Sequence, residues 1–189
     1  RLRGGLLLGV VEGDGTGADA LIAGFVVDGT LPKRLLIRAV GPTLGAFGVG
    51  GTLADPVLTL RPLGSENIVA TNDDWAGTAA LKAAFASVGA FALATDTSRD
   101  AALAIELAPG AYTATVSGGA GVALVEVYDT GTGLSPRLVN LSARTLAGSI
   151  ARGGWCSGQA FVARTATSPP VMAWPSPPSF FFKDTATTE

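Results

Sequence analysis

Short apolar runs recur between turn signals at close intervals from Leu6 to Ser142, and no other feature constrains the fold as much. The runs are Leu6–Val11, Leu21–Val27, Arg34–Val40, Pro56–Arg61, Asn67–Thr71, Ala101–Leu107, Ala111–Ser117, Val122–Tyr128 and Leu138–Ser142. Between them stand GDGTGAD, DGTLP, VGPT, PLGSE, APG, SGGAG and DTGTG, rich in residues that tolerate positive φ or fix it near the proline value. Runs this short, closed by such turns, are strands. In AYTATVS, Tyr112, Ala114 and Val116 share one face and Thr113, Thr115 and Ser117 the other. In ALVEVY, Ala123, Val125 and Val127 oppose Leu124, Glu126 and Tyr128. Such alternation is the pattern of antiparallel strands. Composition agrees, since 48% of residues are hydrophobic but only 7% aromatic, and 26 are glycine.

One stretch breaks the rhythm. GTAALKAAFASVGAF places Leu81, Phe85 and Val88 on one helical face, with Thr78 as N-cap and Gly89 as C-terminal stop. A short helix over about Ala79–Val88 is predicted to cross one end of the sheets and to depend on packing, because a single helix of this length is marginal in water.

Inventory narrows the chemistry. The chain has no histidine and one cysteine, Cys156, so neither a Ser-His-Asp nor a Cys-His constellation can be assembled from it. A net charge of -2 and the lack of any Lys/Arg run give no field for nucleic acid. No apolar stretch reaches the roughly 18 residues of a membrane span. GDGTGA, Gly13–Ala18, matches the dinucleotide fingerprint in form. The chain then continues into the β-branched LIAGFVVDG, and Lys33 stands about where an acidic residue is required, so a glycine-rich loop is the better reading.

The acidic residues cluster in TNDDWAG, Thr71–Gly77, and in DTSRD, Asp96–Asp100. Adjacent residues on an extended segment point to opposite sides, so Asp73 and Asp74 make a poor catalytic pair, and a hydrolase would need one of them to face Asp96 or Asp100. Calcium suits the set better: Asn72, Asp73, Asp74, Asp96 and Asp100 offer the oxygens a hard cation takes from converging loops. A plain capped turn, or a pairing of Asp73 or Asp74 with Arg99, competes with that reading. Trp75 reads as a plug beside the loop; a second reading makes Trp75 and Tyr128 stacking surfaces for a carbohydrate.

Composition changes after about Ser149, where strand rhythm gives way to a Pro- and Trp-containing tail ending in SFFFKDTATTE. That ending resembles translated sequencing-adapter read-through, and disorder is expected over 150–189. RLVNLSARTLAGS and the N-terminal RLRGGLLLGVVEGDG look like counterparts, as do GFV at Gly24 and AFV at Ala160, a period of roughly 136 residues that suggests a tandem array. The expected organisation is an incomplete strand and loop over 1–19, a sandwich module over 20–130, a linker and start of a next repeat over 131–149, and the tail.

DPVLTLRPLGSENIVATNDDW followed by DAALAIELAPGAYTATVSGGAGVALVEVYD resembles the bacterial pre-peptidase C-terminal domain and related secreted β-sandwich modules. The shared features are a strand pair leading into an Asn-Asp-Asp turn, then L-x-P-G-x-Y-T-x-x-V-S-G and a closing strand ending in Asp. The preceding ALIAGFVVDGTLPKRLLIRAVGPTLGAFGVGGTLADP looks like the front of a longer repeat unit in large secreted or surface proteins of environmental bacteria, and the likeness spans about Ala20 to Thr130. It implies an antiparallel, jelly-roll-like, all-β sandwich, accessory to other domains of the same polypeptide, with Asn72, Asp73 and Asp74 on the family's acidic turn. The expectation is a non-catalytic structural or adhesion module, extracellular or cell-surface, with calcium bracing of the acidic turn and a plain capped turn both left open. Carbohydrate binding, with extracellular polysaccharide as partner, and hydrolysis by an acidic cluster are the alternatives.

Overall fold

The computed structural model describes residues 4–11, 20–131 and 137–144. Among these residues nine strands and one α-helix run in order: β1 Gly4–Val11, β2 Leu21–Asp28, β3 Lys33–Val40, β4 Val57–Pro62, β5 Ala70–Asn72, α1 Ala79–Val88, β6 Ala101–Leu107, β7 Gly110–Ser117, β8 Gly121–Asp129 and β9 Arg137–Arg144. A 3-10 helix, Pro42–Phe47, succeeds β3. The glycine-rich loop with Asp14 and Asp19 and the tail over 150–189 lie outside the described residues.

The strands form two antiparallel sheets, ordered β1-β8-β3-β6 and β5-β4-β7-β2-β9. The pairings are nested: β4 with β5, β3 with β6, β2 with β7 and β1 with β8. One long hairpin has been rolled over on itself, the jelly-roll arrangement, which accounts for both sheet orders at once. β9 adds to the free side of β2, with a register shift between Phe25 and Val26. Both β1 and β9 lie outside the expected 20–130 unit, yet each is paired into a sheet of it, so the described sandwich runs from Gly4 to Arg144.

Between the sheets sits one apolar layer. β2 contributes Leu21, Ala23, Phe25 and Val27 in strict alternation, β7 gives Ala114 and Val116, and Leu35, Ile37, Val125 and Val127 come from β3 and β8. The two central strands of the first sheet are also buried on their other side, where Leu36, Val40 and Leu124 pack with Leu81 and Phe85 of α1. The helix therefore covers the outer face of this sheet instead of crossing an end, because β3 and β8 carry a second apolar row that an end-on helix would leave in water. Burying Leu81 and Phe85 stabilises it by about 1.5–3 kcal/mol each, more than its own length can supply.

The sandwich has two distinct ends. Asp28 and Lys33, joined by a short loop, mark one; Asp129 closes β8 there. At the other, the turn into Gly121 lies backbone to backbone against the segment before β4, with Leu53 N–H donating to Val122 O and Val122 N–H to Gly51 O, both at 2.8 Å. A Cβ on Gly121 would fall 2.5 Å from Leu53 Cα, so only glycine permits this approach.

Candidate functional site

Arg38 and Glu126 stand directly opposite one another on β3 and β8. Both are buried, at 0% and 1% exposure, beneath α1 and the segment that comes after it. The guanidinium donates from Nε to Glu126 Oε2 at 2.6 Å, with Nη2 in ion contact with the same oxygen. Nη1 donates to Phe91 O at 2.6 Å. The rings of Phe91 and Phe85 flank the guanidinium carbon at 4.4 and 4.7 Å, within cation–π range. Tyr128 donates to Glu126 Oε1 at 2.7 Å, so both carboxylate oxygens are engaged. Burial, and then the neighbouring Glu126 charge, hold the Tyr128 phenol well above its ordinary range. The cluster ties the helical cover to the sheet. The sequence carries a signal for it, one charge inside each of the apolar runs LLIRAV and VALVEVY, where a buried ion must find a partner. Tyr128, expected as a stacking surface, belongs to this cluster.

Asp100 is the second node, with 0% exposure. Its Oδ1 accepts from the backbone N–H of Gly41 at 2.8 Å and of Thr43 at 3.3 Å, while Oδ2 accepts from the hydroxyls of Thr43 and Ser98, each at 2.5 Å. Four donors surround this expected calcium ligand. It holds the exit of β3 and the start of the 3-10 helix against the entrance to β6. Thr43 Oγ1 extends the link by accepting from Ala94 N–H at 2.9 Å.

TNDDWAG is organised by its backbone. Asn72 accepts from Ala102 N–H at 2.8 Å and donates to Asp74 O at 2.9 Å, so its amide clips the turn onto β6. Trp75 is 3% exposed, stacks on Phe85 with ring centroids 5.4 Å apart, and donates from Nε1 to Thr95 O at 3.1 Å. Its ring is a plug and offers no face to a sugar. Asp73 and Asp74 are exposed. Asp96 pairs with Lys82 at 2.6 Å in solvent, and Arg99 pairs with Asp55 instead of Asp73 or Asp74. The two acidic segments do lie side by side, Trp75 N–H donating to Asp100 O at 2.9 Å, but the Asp100 carboxylate is taken up by its four donors and that of Asp96 by Lys82. Among the described residues no group of three or more His, Cys, Asp or Glu is arranged to hold a metal ion.

Lys33 and Asp129 form a second enclosed ion pair, 2.8 Å apart, at the opposite end from Gly121. Beyond these nodes, the outer face of the β4-β7-β2 region forms a shallow groove of about 520 Å³. Thr59 lies opposite Thr115, which lies opposite Ile22, and Arg61 lies opposite Thr113. Arg61 Nε is shielded from solvent there without a hydrogen-bond partner. Sequence reasoning misses this face because alternating threonines read equally as ordinary solvated strand positions. Among the described residues no helix is long and apolar enough to cross a membrane. No family model, curated protein or solved structure matches the chain.

Proposed function

We propose that this chain is a non-catalytic spacer or adhesion module of a larger secreted or cell-surface bacterial protein. One observation carries the reading: the path of the backbone through the sandwich. β1 starts opposite Tyr128, at the Lys33 end, and β9 finishes opposite Ile22, at the Gly121 end. The chain therefore enters at one end and leaves at the other, from edge strands of different sheets. A strand of eight residues spans about 26 Å, so each such unit adds its own length to a string of them. Tension along that string pulls β1 and β9 lengthwise past β8 and β2, loading all their hydrogen bonds together. The enclosed pairs Arg38–Glu126 and Lys33–Asp129 both tie β3 to β8, consistent with a module built to keep its shape.

The test is single-molecule pulling of the full chain with two handle geometries. Handles at residues 4 and 144 should give one cooperative rupture at a force severalfold above that with handles at residues 4 and 129, which peels β1 from β8 one bond at a time. Equal forces would remove the reading.

A second reading, polysaccharide binding, gains support from the hydroxyl-lined groove with Arg61, and moves from Trp75 and Tyr128 to that face. Glycan-array binding abolished by Arg61→Ala and Thr115→Val would establish it; no binding on a broad array would count against it. Fold alone argues neither way.

A further inference from the structure

The Lys33–Asp129 pair differs from the other described ion pairs in chemistry and setting. Both side chains are almost wholly enclosed, at 2% and 1% exposure, with Nζ 2.8 Å from Oδ1. Lys33 opens β3 and Asp129 closes β8, and the register that sets Leu35 opposite Asp129 fixes the two strands beside each other. Gly131 N–H donates to the same Oδ1 at 2.9 Å. A Cβ at position 131 would lie 3.1 Å from Nζ and 3.2 Å from Oδ1, so the chain closes over the pair with a residue that has no side chain. By contrast, Arg38 is no nucleophile, and Lys82–Asp96 sits in solvent with side chains 48% and 63% exposed.

Two charges held in such a place carry a desolvation cost that can exceed the attraction between them. Condensation removes both charges. We propose that Lys33 and Asp129 join in a side-chain amide, a covalent bridge from β3 to β8. One proton passes from the ammonium to the carboxylate; the neutral amine attacks Cγ, and a Cγ–O bond breaks. Two of the three ammonium hydrogens depart with that oxygen as water, and the third stays on the amide nitrogen. Nothing is oxidised or reduced, and no outside reagent enters. The fixed contact replaces concentration, and intramolecular partners held in position reach effective molarities of about 10⁵–10⁸ M. The Gly131 N–H holds the same Oδ1 that faces the ammonium and receives its proton, which fixes the carboxyl group beside the amine. The bridge is independent of the spacer reading.

The experiment is intact-mass spectrometry of the full chain, denatured and reduced after prolonged incubation in the folded state, followed by peptide mapping. The expected result is a mass about 18 Da below that of the sequence, as one water leaves on attack by the lysine amine. The digest should yield a branched peptide joined at Lys33 and Asp129 and uncleaved by trypsin at Lys33. Lys33→Ala and Asp129→Ala should each weigh what their sequences require. Asp129→Asn should lose about 17 Da, because ammonia then leaves in place of water. Wild-type protein at its full sequence mass overturns the proposal. So does a water loss that maps to a succinimide at Asp28-Gly29 with no branched peptide.

Discussion

Arg38 and Glu126 each exist in the interior only because the other is there. Arg38→Ala or Glu126→Ala leaves a buried charge without its partner and should cost about 3–5 kcal/mol, read as a shift in urea midpoint at unchanged slope. The double change to Arg38→Met and Glu126→Leu should recover most of that loss, since an apolar pair of similar volume needs no compensation. Tyr128→Phe, which deprives Glu126 of one donor, should cost about 1–3 kcal/mol. It should also alter the alkaline limb. The native phenol holds its proton beyond the ordinary range, so the unfolded chain ionises first as pH rises past about 10. Wild type keeps this contribution in full below that pH and loses it above, whereas the phenylalanine variant should fall less steeply in urea titrations between about pH 9 and 11. These residues are only half legible in the sequence. A charge inside an apolar run announces that a partner exists, but Arg38 and Glu126 are far apart in the chain, and only the strand order brings them together. The acidic cluster misleads for the opposite reason. Asn72 and Asp100 carry ligand chemistry, yet backbone N–H groups from β6, Gly41 and Thr43 claim it, and those donors leave no trace in side-chain composition.

At the level of elements, local signals are strong wherever a single segment decides its own form. α1 spans Ala79–Val88 as the spacing predicts, with Thr78 Oγ1 accepting from Leu81 N–H at 3.3 Å and Gly89 at φ 71°. Thr78→Ala should cost about 1 kcal/mol, and Gly89→Ala a similar amount through its left-handed backbone. Both losses should appear as faster hydrogen exchange in the helix while the inner sheet amides stay protected. β6 begins and ends where the apolar run AALAIEL places it. β5 is the exception, three residues from Ala70 to Asn72 where the composition predicts a strand from Asn67 to Thr71. Ile68 and Val69 have strand-forming side chains, but they stand exposed at the edge, 57% and 42%, with no second apolar row to receive them. The helix position is hidden for a related reason: a second buried row on β3 and β8 becomes visible only when those strands lie side by side.

On the scale of the whole molecule, the Gly121 end is closed by backbone contact and the turn at Asn72–Asp74 by its own hydrogen bonds, closures made by protein groups. Thermal unfolding of the full chain in EDTA and in millimolar calcium should give the same midpoint. A rise with calcium that disappears in an Asp73→Ala, Asp74→Ala variant would instead make those exposed carboxylates ligands. The nested pairing also sets the order in which the chain can assemble. β4 and β5 meet across a short loop, whereas β1 can meet β8 only after nearly the whole sandwich has been made. Closing the inner pairs first minimises the entropy lost at each step, and a topology so rich in distant pairings folds slowly. In a polypeptide made from its N-terminus, the strand that emerges first must wait longest for its partner, and its backbone hydrogen-bonding groups stay open to chaperones, or to a neighbouring chain, throughout that delay.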